Sequence, residues 1–153
     1  MKKRRISSIL FVCTANSGRS PMAEYYCKQL AKRMGINLKI DSAGTDYYSV
    51  GISEYSLILL REDGINVISH KPKVINRELL NSFDLILCMD NSHIKKISER
   101  YPEVKDKLFL LSQFVENKND EIIDPIGMGF TEYRKVYNKL KYYIEGLMRK
   151  ISK

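Results

Sequence analysis

A cysteine and an arginine stand six positions apart in the stretch FVCTANSGRSPMAE, residues 11–24. Five small or polar residues separate Cys13 from Arg19, and Ser20 follows the arginine directly. A thiolate is a strong nucleophile, and a guanidinium can bind two oxygens of one phosphoryl group at once. These residue types at this spacing predict an oxyanion site in which Cys13 attacks a bound phosphoryl group and Arg19 holds it.

The spacer between Cys13 and Arg19 favours a tightly curled loop. Such a loop, leading into a helix N-terminus, directs several backbone N–H groups at one point, where a tetrahedral oxyanion fits. The same donors favour the thiolate form of Cys13, and Ser20 is placed to donate its hydroxyl to the sulfur. A Walker A loop is excluded, because no Gly-Lys-Ser/Thr follows the spacer. We predict that the phosphate-binding residues are Thr14, Ala15, Asn16, Ser17, Gly18, Arg19 and Ser20.

Strands and helices alternate along the chain. Apolar runs predict four main strands and one minor strand, at 9–12, 38–41, 83–89, 108–111 and, for the minor one, 67–68. Helical spacing predicts helices at 21–34, 53–61, 78–81, 92–100 and 130–151, the first with Ser20 as N-cap and Pro21 at its first position. Alternation of this kind implies a parallel sheet with right-handed crossovers.

The predicted fold is α/β: a single three-layer domain over residues 1–153. Its central sheet is twisted, parallel and four-stranded, with helices on both faces. Ligands of such sheets bind beyond the carboxyl ends of the strands, near the point where the strand order reverses. Cys13 lies at the carboxyl end of the first strand, so the predicted chemistry and the predicted fold agree in location.

Composition narrows the function classes. The chain has 153 residues, 44% hydrophobic and 29% charged, without an apolar run of membrane-spanning length or a signal peptide, so we predict a cytoplasmic protein. The net charge of +8 would suit an acidic partner. Outside a basic cluster at residues 2–5 and a lysine-rich C-terminus, the positive residues are scattered along the chain. We interpret most of them as surface residues that contribute to solubility. No nucleic-acid or membrane partner and no cofactor is predicted.

The three cysteines and two histidines show no metal-ligand spacing, so no metal site is predicted. An odd cysteine count in a chain long enough to form its own core argues against a disulfide framework. Cys27 and Cys88 are interpreted as buried structural thiols. His93, at the start of a predicted helix with no evident partner, is interpreted as structural.

Residues 12–24 resemble the signature of the low-molecular-weight protein tyrosine phosphatases. The resemblance continues through residues 41–45 after the second strand, residues 83–90 at the central strand, and the pair Asp124-Pro125. It implies a metal-independent phosphatase that hydrolyses phosphotyrosine in proteins, or another phosphomonoester, through a phosphocysteine and releases inorganic phosphate. It assigns Asp124 as the general acid for the leaving group and afterwards the base for water.

The resemblance also implies the residues that support the loop and grip the substrate. Asn16 would hold the loop in its curled shape, Ser42 and His70 would hydrogen-bond to Asn16, and Ser20 would support the sulfur. The expected walls of the substrate pocket are Tyr48, with Tyr47 as a substitute, and opposite them Ile126. Many members carry an aromatic residue at the position of Ile126, so this wall is expected to be thinner and apolar.

Two departures from the family pattern keep other functions open. Many members have glycine where Ala15 stands and a second cysteine where Gly18 stands.

An arsenate reductase uses a similar loop, and Cys88 lies near the position of its strand-end cysteine, but residues 91–100 contain no resolving cysteine. A module that binds phosphate or phosphotyrosine without turnover is the third reading. Phosphoarginine or a small-molecule ester remains open as the substrate.

Overall fold

The computed structural model describes residues 5–48 and 50–152; most of the predicted basic cluster, Lys2 to Arg4, therefore lies outside the described residues. The chain alternates between strands and helices as the sequence predicts. The elements in order are β1 (Ser8–Cys13), α1 (Arg19–Met34), β2 (Lys39–Gly44), α2 (Glu54–Glu62), α3 (Arg77–Asn81), β3 (Leu85–Cys88), α4 (Asn91–Arg100), a 3-10 helix (Pro102–Lys107), β4 (Leu108–Leu110), α5 (Leu111–Glu116) and α6 (Phe130–Ile151).

The four strands form one parallel sheet in the order β2-β1-β3-β4. Strand β1 lies in the interior of the sheet, where Cys13 pairs with Gly44 of β2 and Val12 with Cys88 of β3. All six residues of β1 are buried, which explains the continuous apolar run from Ile9 to Val12. Since β2 and β3 lie on opposite sides of β1, the strand order reverses at the end of β1, where Cys13 lies.

Helices cover both faces of this sheet, so the predicted three-layer arrangement is confirmed. One hydrophobic cluster joins the sheet to α1, α2, α5 and α6, and includes Met22, Leu60 and Leu140. The other cluster joins it to α3, α4 and the 3-10 helix, and includes Leu80, Ile97 and Val104. Within the described part of the chain, no helix is both long enough and apolar enough to cross a membrane.

The prediction of a minor strand at 67–68 is wrong. The two residues belong to no strand, and Ile68 is almost fully exposed, so its apolar side chain does not contribute to the core. The chain instead makes an isolated bridge at Val74, opposite Gly44 at the end of β2. Helix α5 is absent from the sequence-based prediction, because the apolar run at 108–111 continues from β4 into the first residue of α5 without a break.

The predicted start of α1 is also wrong. The helix begins at Arg19, with Gly18 as N-cap, rather than at Pro21 with Ser20 as N-cap. The Ser20 hydroxyl contacts side chains of the preceding loop instead of capping the helix. Pro21 is tolerated in the first turn, since its missing N–H would have no partner within the helix.

Candidate active site

Residues 14–18 form a loop between β1 and α1, called here the phosphate loop. The backbone N–H of Met22 donates to Gly18 O at 3.2 Å, which makes Gly18 the first acceptor of α1. The N–H groups before Met22 have no acceptor inside the helix, and they carry the positive end of its dipole. Helix α1 therefore presents its N-terminus to the phosphate loop.

The end of β2 packs directly against the phosphate loop. The N–H of Thr45 donates to Cys13 O at 2.9 Å, and that of Asp46 donates to Thr14 O at 3.0 Å. A Cβ atom on Gly44 would lie 2.5 Å from Thr14 O, a distance no real Cβ tolerates. Glycine is therefore required at 44 by this close approach of two backbones.

Asn16 holds the phosphate loop in its curled shape. It is fully buried and has a φ of 56°, a left-handed conformation that asparagine tolerates better than most residues. Its Nδ2 donates to Ser20 Oγ at 2.9 Å and to Ser42 Oγ at 2.8 Å, and its Oδ1 accepts from the N–H of Lys73 at 3.1 Å. Every polar atom of the side chain thus has a partner. Ala15, by contrast, has a negative φ, which a methyl side chain accommodates.

Two chains of hydrogen bonds begin at Asn16 Nδ2. In the first, Ser20 Oγ accepts from Asn16 and lies 2.9 Å from Cys13 Sγ, to which it can donate its own proton. Ser42 Oγ likewise accepts from Asn16 and donates to the buried Glu24 Oε1 at 2.5 Å. The structure thus brings together Cys13, Asn16, Ser20 and Ser42.

His70 supports the same loop from its outer side. Its Nε2 lies 2.9 Å from the carbonyl oxygen of Asn16, which can only accept, so Nε2 carries a proton. Its Nδ1 lies 2.9 Å from the Tyr25 hydroxyl. His70 therefore contacts the Asn16 backbone, whereas the asparagine side chain is held by Ser20, Ser42 and the backbone of Lys73.

Arg19 is almost fully buried, and its guanidinium is held from several sides. Its Nη1 donates to Asp90 Oδ2 at 2.8 Å and to Ile122 O at 2.9 Å. Its Nη2 donates to Thr14 Oγ1 at 3.2 Å and lies 3.6 Å from Asp124 Oδ2. Because both N–H bonds of Nη1 have acceptors, the edge formed by Nε and Nη2 is the one left for a bidentate contact with an anion.

Asp90 is the N-cap of α4 as well as a partner of Arg19. Its Oδ1 accepts from the N–H of Ser92 at 2.9 Å. Burial alone would raise the pKa of its carboxyl, but hydrogen bonds from Ser92 and Arg19 outweigh burial and hold the pKa below its ordinary value. Asp90 is therefore a carboxylate, which keeps Arg19 in place beside the phosphate loop.

His93, for which the sequence showed no evident partner, has two partners in the structure. Its Nδ1 accepts from the N–H of Asp90 at 3.2 Å, and its Nε2 lies 2.9 Å from Thr14 Oγ1. Burial lowers the pKa of His93 to about 4, with Arg19 and Lys96 acting in the same direction and Asp90 and Asp124 opposing the shift. The ring is therefore neutral at physiological pH.

The buried, neutral His93 makes the fold sensitive to acid. Between pH 6.5 and 4 the unfolded chain protonates this histidine and the folded chain does not, so stability falls as the pH falls through this window. We expect the wild type to lose about 2 kcal/mol more unfolding free energy between pH 7 and pH 4.5 than His93→Gln, as measured by urea denaturation. Equal losses in the two proteins would contradict the assignment.

Hydrogen bonds of the Ile122 backbone hold the segment that places Asp124 at the site. The N–H of Ile122 donates to Met89 O, just beyond β3, at 2.8 Å, while Ile122 O accepts from Arg19. Two residues later the Asp124 side chain is about half exposed, and its Oδ1 accepts from the N–H of Ile126 at 3.1 Å. The Asp124 carboxyl thus faces both Arg19 and solvent.

The expected substrate walls are exposed side chains on two segments next to the site. Tyr47 and Tyr48 directly follow Asp46, whose N–H is bonded to the phosphate loop, and they are 78% and 50% exposed. Ile126, two residues after Asp124, is 69% exposed. Such exposure leaves these side chains available to a ligand that enters above the loop.

The other two cysteines are isolated from solvent. Cys27 and Cys88 are fully buried; burial raises the pKa of Cys27 to about 12 and holds the pKa of Cys88 well above its ordinary value. Cys88 also belongs to the hydrophobic cluster on the other face of the sheet from Cys13. Both therefore remain protonated thiols at neutral pH. Among the described residues, no group of three or more potential ligands could hold a metal ion.

Sequence reasoning missed Glu24, Asp90 and the pairing of His93 with Thr14. Asp90 could have been found, because it follows a buried strand that neighbours β1 and parallel strands end at the same edge. Asp90 and His93 also stand three residues apart, the spacing of a capping box, and their reciprocal contacts complete such a box at the start of α4. Nothing local indicated that Glu24 accepts from Ser42.

Comparison with known proteins agrees with this geometry. The family profile of the low molecular weight phosphotyrosine protein phosphatases matches residues 8–153. The protein-arginine-phosphatase of Bacillus subtilis (strain 168) is 32% identical over 146 residues, covering 95% of this chain and 97% of the relative. The low molecular weight phosphotyrosine protein phosphatase of Sus scrofa is 31% identical over 158 residues, covering 99% of each chain.

A solved structure has a closely similar fold. A structure of the YwlE arginine phosphatase, a cysteine-to-serine mutant with a phosphorylated active-site serine, superposes with a TM-score of 0.91 at 30% identity. The match covers 95% of this chain and 96% of that one. The family resemblance predicted from residues 12–24 is confirmed. The chain belongs to the low molecular weight phosphotyrosine protein phosphatase family.

Proposed function

We propose that this protein is a cysteine-dependent phosphatase that hydrolyses phosphotyrosine in proteins through a phosphocysteine intermediate. The observation that carries the proposal is the position of Cys13 Sγ. It lies at the base of the phosphate loop, 2.9 Å from Ser20 Oγ, a hydroxyl that also accepts from Asn16 Nδ2. A sulfur at this place, next to the N-terminus of α1 and within hydrogen-bond reach of a hydroxyl, is positioned to attack a phosphoryl group bound in the loop.

The first step transfers the phosphoryl group to the protein. The Cys13 sulfur forms a bond to phosphorus as the bond from phosphorus to the substrate oxygen breaks. Backbone N–H groups of the phosphate loop and the free edge of Arg19 bind the equatorial oxygens, where charge gathers in the transition state. Asp90 and Ile122 O hold Arg19 in position for this contact.

Asp124 serves the leaving group and then the water. A phenolate is a poor leaving group, so Asp124 donates a proton to the tyrosine oxygen as it departs. The resulting carboxylate accepts a proton from water as the water oxygen bonds to phosphorus; the bond from phosphorus to the Cys13 sulfur breaks, which returns the thiolate and releases inorganic phosphate. The exposure of Asp124 beside Arg19 supports this role, because the group must reach both substrate and water.

Removing the acid should make turnover depend on the leaving group. For Asp124→Asn we expect kcat/KM to fall about 100-fold or more with phosphotyrosine peptide, and much less with aryl phosphates whose phenols are acidic. A series of aryl phosphates measures this, because kcat/KM reports the step in which the phenol departs, and the slope of log kcat/KM against leaving-group pKa steepens when no proton is donated. Asp106→Asn changes an exposed aspartate and serves as the control. Parallel slopes in Asp124→Asn and wild type would exclude Asp124 as the acid.

Phosphoarginine is a second candidate substrate. One observation favours it: the exposed Ile126 stands where many family members place an aromatic wall for the phosphotyrosine ring. The similarity of this chain to the protein-arginine-phosphatase of Bacillus subtilis is as high as its similarity to the phosphotyrosine phosphatase of Sus scrofa. The phosphate loop itself binds only the phosphoryl group, so the walls decide between the two.

The deciding experiment compares matched peptides that carry phosphotyrosine or phosphoarginine at the same position, without metal and at mildly acidic pH. A higher kcat/KM for phosphotyrosine supports the proposal, and a higher value for phosphoarginine supports the second candidate. Release from neither peptide by a folded protein that binds phosphate would support a binding module or a reductase. Arsenate-dependent oxidation of thioredoxin then identifies the reductase, which the burial of Cys27 and Cys88 disfavours.

A further inference from the structure

His93 reaches the phosphate loop from an element remote in sequence. It lies in the first turn of α4, is 1% exposed, and contacts Thr14, the residue that follows Cys13. The contact spans 79 residues of chain and joins the end of β3 to the end of β1. A buried polar contact at this place bears on the chemistry of Cys13, and a role for His93 there rests on the proposed phosphatase function.

The hydrogen bonds determine where the proton of the His93 ring lies. Nδ1 accepts from the backbone N–H of Asp90, so in the neutral ring the proton is on Nε2. Nε2 therefore donates to Thr14 Oγ1 across 2.9 Å. A proton on Nδ1 would prevent the hydrogen bond from the Asp90 N–H. The start of α4 therefore favours the tautomer with its proton on Nε2.

Thr14 is thereby held by two donors. Its Oγ1 accepts from His93 Nε2 and from Arg19 Nη2, at 2.9 and 3.2 Å, which occupies both lone pairs of the hydroxyl. The hydroxyl proton is then directed away from both partners. The bond between Thr14 and Arg19 also restrains Nη2 of Arg19. Nη2 and Nε together form the edge of the guanidinium that is left to bind an anion.

We propose that His93 is a positioning residue for phosphoryl transfer. By donating to Thr14 it fixes the Thr14 hydroxyl, and through that hydroxyl it orients the Arg19 edge that binds the transferring phosphoryl group. His93 touches neither the nucleophile nor the phosphoryl group itself. Its effect falls on the transition state, because the equatorial oxygens gain charge there and the orientation of Arg19 matters most.

Two substitutions separate this role from helix capping. Gln can place an amide N–H near the position of the ring Nε2, which preserves the donor to Thr14 but removes the acceptor for the Asp90 N–H. Asn can place an amide oxygen near the position of Nδ1, which preserves the cap but removes the donor. We expect His93→Asn to lower kcat about 10- to 100-fold with a smaller change in KM, and His93→Gln to stay within about threefold of wild type.

Thr14 provides an independent check. In the His93→Asn background, Thr14→Val should cause little further loss, because the two residues act as a unit. Calorimetric titration with inorganic phosphate gives a readout without turnover, and we expect weaker binding in His93→Asn than in His93→Gln. Circular dichroism and thermal unfolding show whether each variant is folded.

Three outcomes would overturn the inference: His93→Asn with wild-type kcat and phosphate affinity, a larger loss in His93→Gln than in His93→Asn, or additive losses with Thr14→Val. Failure of the proposed function is a different result. In that case the wild type releases no phosphate from any peptide, while phosphate affinity in the His93 variants still tests the positioning role.

Discussion

Replacing Cys13 by serine should abolish phosphate release from a phosphotyrosine peptide while leaving phosphate binding intact. A serine hydroxyl is far less ionised than a thiol and attacks phosphorus poorly, so we expect kcat to fall roughly 10⁴-fold or more. The oxygen is smaller than sulfur, and the bonds of Ser20 and Asn16 that shape the loop do not depend on it. Stopped-flow or discontinuous phosphate assays measure the first effect, and calorimetric titration with phosphate measures the second.

The matched control is Cys27→Ala, which removes a buried thiol about two turns along α1, where its Sγ lies 3.9 Å from Met148 Sδ. We expect it to lower stability by leaving a small cavity, with kcat/KM changed less than about threefold. A Cys13→Ser protein that keeps more than a few percent of wild-type turnover would exclude the phosphocysteine route. Loss of activity together with loss of phosphate binding would show instead that the loop itself had collapsed.

Arg19→Lys should lose phosphate binding as well as turnover, whereas Cys13→Ser should lose turnover alone. Lysine carries the charge but not the planar pair of N–H donors, and its three N–H bonds cannot serve Asp90, Ile122 O and Thr14 and also bind a phosphoryl group. The partly buried Asp90 carboxylate would keep a weaker partner. We expect kcat/KM to fall about 10³-fold and phosphate affinity to fall at least about tenfold. Steady-state kinetics and phosphate titration on the same preparation test both numbers.

Arg77→Lys makes the same chemical change outside the site, where Arg77 pairs with Glu103 in an exposed ion pair. Exposed pairs contribute little to stability, so this control should match wild type in both activity and phosphate affinity. If Arg19→Lys bound phosphate as tightly as wild type, the backbone N–H groups alone would account for binding. The assigned role of Arg19 as a clamp would then be wrong.

The sequence was sufficient for the four main strands and for a curled loop after the first of them, because these follow from local patterns, but it did not predict the strand order. The apolar run before Cys13 marks a strand buried on both faces, and small residues before Arg19 mark a curled loop. The start of α1 could not be placed correctly by capping preference. Ser20 is a good N-cap residue, but its hydroxyl is bound between Cys13 and Asn16, so a tertiary contact overrides the local preference.

Contacts between distant elements were the part that the sequence did not reveal. The pairing of Thr14 with His93, and of Arg19 with Asp90, depends on β1 and β3 being neighbours and on the direction of two helix starts. Asp90 follows a strand end and was detectable in principle. The tautomer of His93 was not, because it is set by a backbone N–H that only the folded α4 directs at the ring.

Gly44 has a consequence for how this site binds anions. With no side chain, it lets the backbone of β2 press against Thr14 O, and with Asn16 it fixes the phosphate loop when the chain folds. The conformational entropy that a flexible loop loses when it closes on a ligand is here lost before any ligand arrives. Phosphate and sulfate should therefore differ in affinity through their charge and shape alone, without an ordering cost that depends on the ligand.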